Sequence, residues 1–173
     1  MKYLLLVIAG ALPCFAANAA VEATATLDVA AGEVTITHSL TASDMSEEDL
    51  GGGEVMATGV VTGNRPLERV ALSWDRDVNP YITTPSRLEE YGIVSVEGHF
   101  KTTAFPVKLK AVTPASARDS WLYHQVIYTL ATPGTQFRYQ IVNASGDFFP
   151  AKSPWHLYPG NYRMAVSADV VNC

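Results

Sequence analysis

Cysteine and long apolar runs are both scarce in this sequence. Its two cysteines are Cys14 and Cys173, and Cys14 falls inside a leader that we expect to be removed. One cysteine at the last position cannot form an internal disulfide, so a secreted domain of this composition must rely on its hydrophobic core. The longest apolar run, residues 4–12, is too short for a membrane-spanning helix, and no membrane span is predicted.

Sequence motifs for catalysis and for cofactor binding are also missing. The chain has no G-x-S-x-G, no H-E-x-x-H and no phosphate-binding glycine loop. Its four histidines lack the spacing of metal ligands. The acidic run at residues 47–49 lacks the alternating oxygen ligands of a calcium loop. We therefore predict that the protein is not an enzyme and holds no cofactor or metal.

The first twenty residues have the features of a secretory signal peptide. Lys2 precedes the apolar run, and Ala17-Asn18-Ala19 matches the A-x-A cleavage rule. Residues 1–20 are therefore predicted to be removed, which leaves 153 of the 173 residues. Loss of Lys2 leaves 11 basic residues against 17 acidic ones, a net charge of about −6. This charge argues against nucleic acid or an anionic membrane surface as a partner.

The mature chain has the pattern of an all-β protein. Short alternating runs are separated by Gly, Pro, Asn and Asp, as in the segment where Val34, Ile36, His38 and Leu40 share one face. The segments "TGNRP" and "TPGT" are predicted to end one strand and begin the next. About eight strands in a chain of this length indicate a sandwich of two antiparallel sheets.

Two further features concern possible ligand sites. Of the three tryptophans, Trp74 and Trp121 are predicted to pack in the core, whereas Trp155 lies in a polar stretch and is predicted to be exposed. A sugar-stacking surface formed by tryptophans is the alternative. Asn143-Ala144-Ser145 matches the acceptor tripeptide for N-glycosylation.

The two ends of the mature chain carry alternating apolar residues. Near the N-terminus these are Val21, Ala23, Ala25, Leu27 and Val29. In the last predicted strand, residues 161–171, they are Tyr162, Met164, Val166, Ala168 and Val170. A sheet that ends with this strand has an open edge, which is an aggregation hazard unless another strand covers it. The N-terminal segment is either the first strand of its own domain or a strand that another chain accepts.

Four segments carry a resemblance to a known family: "ATATL", "EVTITH", "LATPGTQFRYQIV" and "YPGNYRMAVSADVV". The chain resembles the structural subunits of bacterial surface fibres that are assembled by the chaperone–usher pathway, and most of all the thin-fibre type of the capsular antigens. The resemblance implies an incomplete immunoglobulin-like sandwich (residues 33–173) that a donor strand from a neighbouring subunit completes. Residues 21–32 would be this donor extension, and its five apolar residues would enter a groove lined partly by the five apolar residues of the last strand.

The same resemblance implies the partners and the location. Identical or sibling subunits, a periplasmic chaperone and an outer-membrane usher would bind the chain, and an adhesive fibre would also bind a host receptor. The protein would pass through the periplasm to a fimbria or fibre on the cell surface. The cysteine pair found in other branches of the family is absent, and Cys173 is either an intermolecular thiol or an unpaired tail cysteine. The alternative function is a secreted monomeric β-sandwich that binds a glycan or a metal.

Overall fold

The computed structural model describes residues 34–45, 53–82, 88–96, 103–120, 122–148 and 159–171. All of them lie in a compact unit that spans Val34–Cys173. The elements along the chain are β1 (Ile36–Ala42), β2 (Val55–Trp74), β3 (Tyr91–Val94), β4 (Phe105–Ala111), β5 (Ala115–Ser120), β6 (Gln125–Asn143), the helical turn α1 (Ser145–Phe148) and β7 (Val166–Val170). Within these ranges no helix is long and apolar enough to cross a membrane. The predicted signal peptide and donor extension lie outside the described residues.

Two long strands organise the sheet. β2 has 20 residues and β6 has 19, whereas strands in globular proteins usually have about 3–10. They pair antiparallel from Val55 opposite Val142 to Leu72 opposite Val126. At the end near Val55 they are flanked by β1 and β4, and β3 pairs with the outer side of β4; we call this part the first half. At the other end they are flanked by β7 and β5, which we call the second half.

The long strands bend together between the two halves. The register shifts on either side of Leu67, which lies opposite Gly134, and such irregularities bend a strand and increase its twist. A Cβ on Gly63 would lie 2.6 Å from Cδ2 of the buried Leu67, so glycine lets Leu67 turn into the core. The prediction that "TGNRP" and "TPGT" separate strands is wrong. The two segments face each other across the pair, so both strands bend while their pairing resumes beyond the bend.

The bend brings the inner faces of the two halves against one core. Tyr128 of the second half donates its hydroxyl hydrogen bond to the Leu109 carbonyl of the first half at 3.1 Å. Trp74 Nε1 donates to the Glu90 carbonyl at 3.1 Å, and the indole is only 4% exposed. The largest fully buried side chains come mainly from the long strands and β4: Tyr139, Phe137, Leu67, Leu72, Leu109 and Ile141. The predictions of an all-β sandwich and of a core position for Trp74 are confirmed.

Asn143 has a structural role at the end of β6. Its side chain is 3% exposed, and its Oδ1 accepts hydrogen bonds from the Ser145 backbone N–H at 2.9 Å and from the Ser145 hydroxyl at 2.6 Å. These bonds satisfy the start of the helical turn α1. The glycosylation tripeptide is therefore buried in the folded protein and does not present an acceptor at the surface.

The last strand is shorter than the sequence predicts. β7 begins at Val166, and Tyr162 forms only an isolated bridge with Val96. The cause is Asn79, which is fully buried. Its Nδ2 donates to the Arg163 carbonyl at 3.0 Å, and its Oδ1 accepts from the Ala165 N–H at 2.9 Å. Because a side chain takes these backbone groups, they cannot pair with a neighbouring strand.

Candidate functional site

β1 and β7 lie along the same edge of β2. β1 pairs with β2 residues 57–63, and β7 pairs with residues 70–74. Because β2 bends between these two stretches, β1 becomes an edge of the first half and β7 an edge of the second half. Within the described parts of the chain, β2 is the only strand with which either of them pairs. The two edges therefore flank one side of the core.

The inward side chains of these two edges are only half-buried. On β1 they include Ile36 and Leu40, which pack against the core without being enclosed by it. On β7 they are Val166, Ala168 and Val170, which pack in the same way. The prediction that Val34, Ile36, His38 and Leu40 share a face is confirmed by their alternating burial. Inward side chains of the central strands are fully buried, so the core is less completely covered along this side than at its centre.

The backbone of β7 shows which residues face away from β2. Val171 N–H donates to the Arg69 carbonyl at 3.3 Å, and the Ala165 carbonyl accepts from Asp75 N–H at 2.9 Å. Odd-numbered residues of β7 therefore bond to β2, and even-numbered ones direct their N–H and C=O groups to the other side. At one even position, the Asp169 carboxylate accepts the Val170 N–H at 2.7 Å, which partly shields the edge.

β1 has the same arrangement. The Thr35 carbonyl accepts from Asn64 N–H at 3.1 Å, and Ser43 N–H donates to the Met56 carbonyl at 2.9 Å. The even-numbered residues of β1 therefore direct their backbone groups away from β2. On both edges, the residues whose side chains face the core also carry these outward backbone groups. A strand added here can form backbone hydrogen bonds and extend the core at the same time.

The opposite edge of the first half, β3, is covered by the chain itself. Ile93 N–H of β3 donates to the Pro80 carbonyl at 3.1 Å, and Arg76 Nη1 donates to the Tyr91 carbonyl at 2.8 Å. Arg76 also pairs with the buried carboxylate of Glu89 at 3.2 Å. The connection between β2 and β3 thus covers the edge of β3, unlike the edges of β1 and β7.

Solved structures with this architecture are found among bacterial fimbriae. No protein-family model and no curated protein sequence matches the chain. A structure of the AAF fimbriae of enteroaggregative Escherichia coli, described for fibronectin binding and biofilm formation, matches with a TM-score of 0.57 over 79% of this chain and 88% of the other. The fold is that of a fimbrial subunit. The sequence identity is 15%.

Two further fimbrial proteins of Escherichia coli share the fold. The Hda pilus minor tip subunit HdaB has a TM-score of 0.57 at 14% identity and covers 80% of this chain and 83% of its own. AggB, the minor subunit of aggregative adherence fimbriae type I, has a TM-score of 0.53 at 16% identity, with 78% and 84% covered. The predicted incomplete immunoglobulin-like fold agrees with these matches.

The five residues predicted to line an acceptor groove lie along the final segment of the described chain. Tyr162 packs its ring against Phe105 with ring centroids 5.7 Å apart, and Met164 is half-buried against the core. Val166, Ala168 and Val170 follow on β7. The predicted donor residues at positions 21–29 and the thiol at position 173 lie outside the described residues.

His38 is a polar member of the β1 edge that the sequence did not single out for function. Its Nε2 lies 2.8 Å from the hydroxyl of Tyr139, a residue that is fully buried. Burial lowers the pKa of His38 and raises the pKa of Tyr139, so for both side chains the environment favours the neutral form. The signal that points to His38 is its place as the one polar residue in an otherwise apolar alternation.

Proposed function

We propose that this chain is a structural subunit of a bacterial surface fibre assembled by the chaperone–usher pathway. The observation that carries the proposal is the pair of half-buried apolar edges, β1 and β7, on one side of the core. The fold shared with fimbrial subunits supports the same function. In a monomeric secreted sandwich, two such edges on one side would be a disadvantage, because exposed strand edges favour uncontrolled pairing with other chains.

In this proposal, residues 21–29 of one subunit form a strand beside β7 of the next. Val21, Ala23, Ala25, Leu27 and Val29 point toward the core between β1 and β7. Each backbone hydrogen bond of the added strand contributes about 1 kcal/mol net, and each buried methylene about 0.8 kcal/mol. The joint opens only when many of these interactions are lost together, which makes it kinetically stable.

The proposed assembly requires partners before and after the subunit leaves the periplasm. A chaperone would cover the β1 and β7 edges until the neighbouring subunit replaces it, and an usher in the outer membrane would join the subunits. A fibre of this kind is exposed at the cell surface, where it can bind a host receptor and act in adhesion. The finer resemblance to the capsular-antigen type stays a prediction, since the matching structures are other fimbrial proteins.

Mobility on an SDS gel, unheated and boiled, tests the proposal. The secreted protein is expected to give a ladder when unheated that collapses to one band on boiling. Leu27→Asp places a charge on the donor face and is expected to abolish the ladder, whereas Thr26→Asp, on the opposite face, is expected to preserve it. On the acceptor side, Ala168→Asp and Ser167→Asp form the same kind of pair, because Ala168 faces the core and Ser167 is exposed.

The gel has two outcomes that contradict the proposal. One is a single monomer band from the unaltered protein without heating, which means that the N-terminal strand completes its own sandwich. The other is an equal effect of both members of each pair. Circular dichroism of each variant distinguishes loss of the joint from loss of the fold.

A further inference from the structure

The outer face of the second half carries a cavity of about 870 Å³. Its floor includes Arg69 of β2, Arg118 of β5 and Ile127 and Thr129 of β6, and Leu122 and His124 from the β5–β6 turn also line it. These residues lie on the face opposite the core, since their neighbours Val70, Val126 and Tyr128 are buried. The volume is within the range of about 300–1,000 Å³ that is usual for small-ligand sites.

Strand register brings the two arginines of the floor together. Arg69 lies opposite Thr129, and Arg118 lies opposite Ile127 on the other side of β6. The arginines are therefore two strands and two residues apart, a Cα separation of about 12 Å from the usual strand spacings. Long arginine side chains can reach one ligand from this separation. Between the two arginines, Thr129 supplies a hydroxyl group and Ile127 supplies an apolar surface.

Neither guanidinium group has a partner among the described residues. Arg76 pairs with Glu89, whereas the described part of the chain provides no ion pair or side-chain hydrogen bond for Arg69 or Arg118. Among the described residues that line the cavity, Asp119 is the only one with a carboxylate. The lining therefore carries excess positive charge in a chain whose net charge is −5. Such a site favours an anion, and arginine binds carboxylates through paired hydrogen bonds.

The remaining lining groups suit a sugar. Leu122 is 81% exposed, and the left-handed backbone of His124 (φ 53°) forms part of the turn that carries it. Apolar side chains such as Leu122 and Ile127 can contact the C–H faces of sugar rings, while the hydroxyls of Thr129 and Ser120 can bond to sugar hydroxyls. The site thus combines apolar surface with a few polar groups that fix orientation.

We propose that this cavity binds an acidic sugar chain, with Arg69 and Arg118 holding a sugar carboxylate. An acidic peptide is less favoured, because extended peptides bind sheets through backbone hydrogen bonds at a free edge. The cavity floor is a sheet face centred on β6, which is paired on both sides, with β2 and with β5, so its backbone groups are not free for a peptide. The site does not include the β1 and β7 edges, so it is independent of the proposed fibre joint.

Calorimetric titration of the secreted protein tests the site. The probes are 3′-sialyllactose and a hyaluronan tetrasaccharide, with lactose as the neutral control and tetraglutamate as the acidic peptide. At least one acidic oligosaccharide is expected to bind, more weakly as NaCl rises, and lactose is not. Arg69→Gln and Arg118→Gln are each expected to weaken binding about tenfold or more, as loss of a charged hydrogen-bond partner predicts.

Arg65→Gln is the matched control, because Arg65 is an exposed arginine of β2 outside the cavity and the substitution makes the same change in net charge. It is expected to leave binding unchanged, and the thermal unfolding midpoint of all three variants should stay close to that of the parent protein. Equal weakening by all three variants overturns the proposal. So does a failure of both acidic oligosaccharides to bind at millimolar concentration, equal binding of lactose, or preferred binding of tetraglutamate.

Discussion

Gly59 of β2 leaves room for the ring of Tyr139 on β6, and its replacement by alanine tests the packing of the core. It lies directly opposite Tyr139, and a Cβ at this position would be 2.1 Å from both Cε1 and Cζ of the tyrosine ring. Normal carbon–carbon contacts begin at about 3.5 Å. In Gly59→Ala, the ring of Tyr139 or the backbone of one strand must therefore shift by more than about 1 Å.

The surroundings of Tyr139 make this shift costly. The ring is fully buried, stacks against Phe137 with centroids 6.2 Å apart, and holds His38 through its hydroxyl at 2.8 Å. Overpacking a core costs about 1–3 kcal/mol, and a buried hydroxyl that loses its partner costs about 1–3 kcal/mol more. Gly59→Ala is expected to lower the free energy of unfolding by about 2–6 kcal/mol, a large share of the about 5–15 kcal/mol typical of a domain.

Urea unfolding of the mature protein, followed by fluorescence, measures this loss. Gly134→Ala is the matched control, because its Cβ would meet only the carbonyl oxygens of Gln136 and Thr132 at 4.0 Å. It is expected to change stability by less than about 0.5 kcal/mol. Both variants add one methyl group to the long strand pair, so the comparison isolates the contact with the ring.

A second background separates crowding from a general intolerance of alanine at this position. When Tyr139→Leu has removed the ring, Gly59→Ala is expected to add much less to the destabilisation than it does alone, since the two positions are in contact. The reasoning is refuted if Gly59→Ala unfolds within about 1 kcal/mol of the parent protein, or if the effects of the two substitutions simply add.

Three other changes test individual side chains. Burial lowers the pKa of His38 below its ordinary value of 6.5, so the contribution of neutral His38 to stability is complete above pH 6.5 and is lost as the pH falls from 6.5 toward the pKa in the folded protein. His38→Gln is expected to remove this part of the pH dependence, as measured by unfolding curves on either side of pH 6.5. Asn79→Ala leaves three partly buried backbone groups without their side-chain partner and is expected to cost about 3 kcal/mol in urea unfolding. A cost under about 1 kcal/mol contradicts this. Burial opposes ionisation of Asp147, but its bonds to Lys108 and Tyr91 outweigh burial and lower its pKa below the ordinary value of 3.8. The contribution of the ionised carboxylate to stability is therefore present above pH 3.8 and is lost as the pH falls through the pKa in the folded protein. Asp147→Asn is expected to reduce the dependence of the thermal unfolding midpoint on acid pH.

Local alternation predicted the faces of the strands but not their length. The half-buried positions Val34, Ile36, His38 and Leu40 follow the predicted period of two. The prediction that two strands end at glycine and proline was wrong, because these residues indicate an irregular backbone but not which residues lie opposite on the paired strand. Leu67 faces Gly134 across the strand pair, and only this pairing shows that the two disturbances coincide and bend both strands.

Long-range contacts account for what the sequence did not predict at the two candidate sites. Asn79 limits β7 through hydrogen bonds to Arg163 and Ala165, which lie 84 and 86 positions further along the chain. No local sequence pattern contains that information. Arg69 and Arg118 are likewise brought together only because both flank β6. By contrast, the half-buried alternation of Val166, Ala168 and Val170 is evident in the sequence, since each is separated from the next by a polar residue.

The shared edge of β2 also has a mechanical consequence. Seven residue pairs join β1 to β2, and five join β7 to β2. In a fibre of the proposed kind, tension enters a subunit through the segment that precedes β1 and leaves through the strand beside β7, so the load crosses β2. A pull along the strand axes acts in shear on both pairings and must break several hydrogen bonds at once, whereas peeling breaks them one by one. Forced unfolding is governed by the unfolding rate, and in this geometry the pairings of β2 with β1 and β7 are the interactions that resist extension of the subunit.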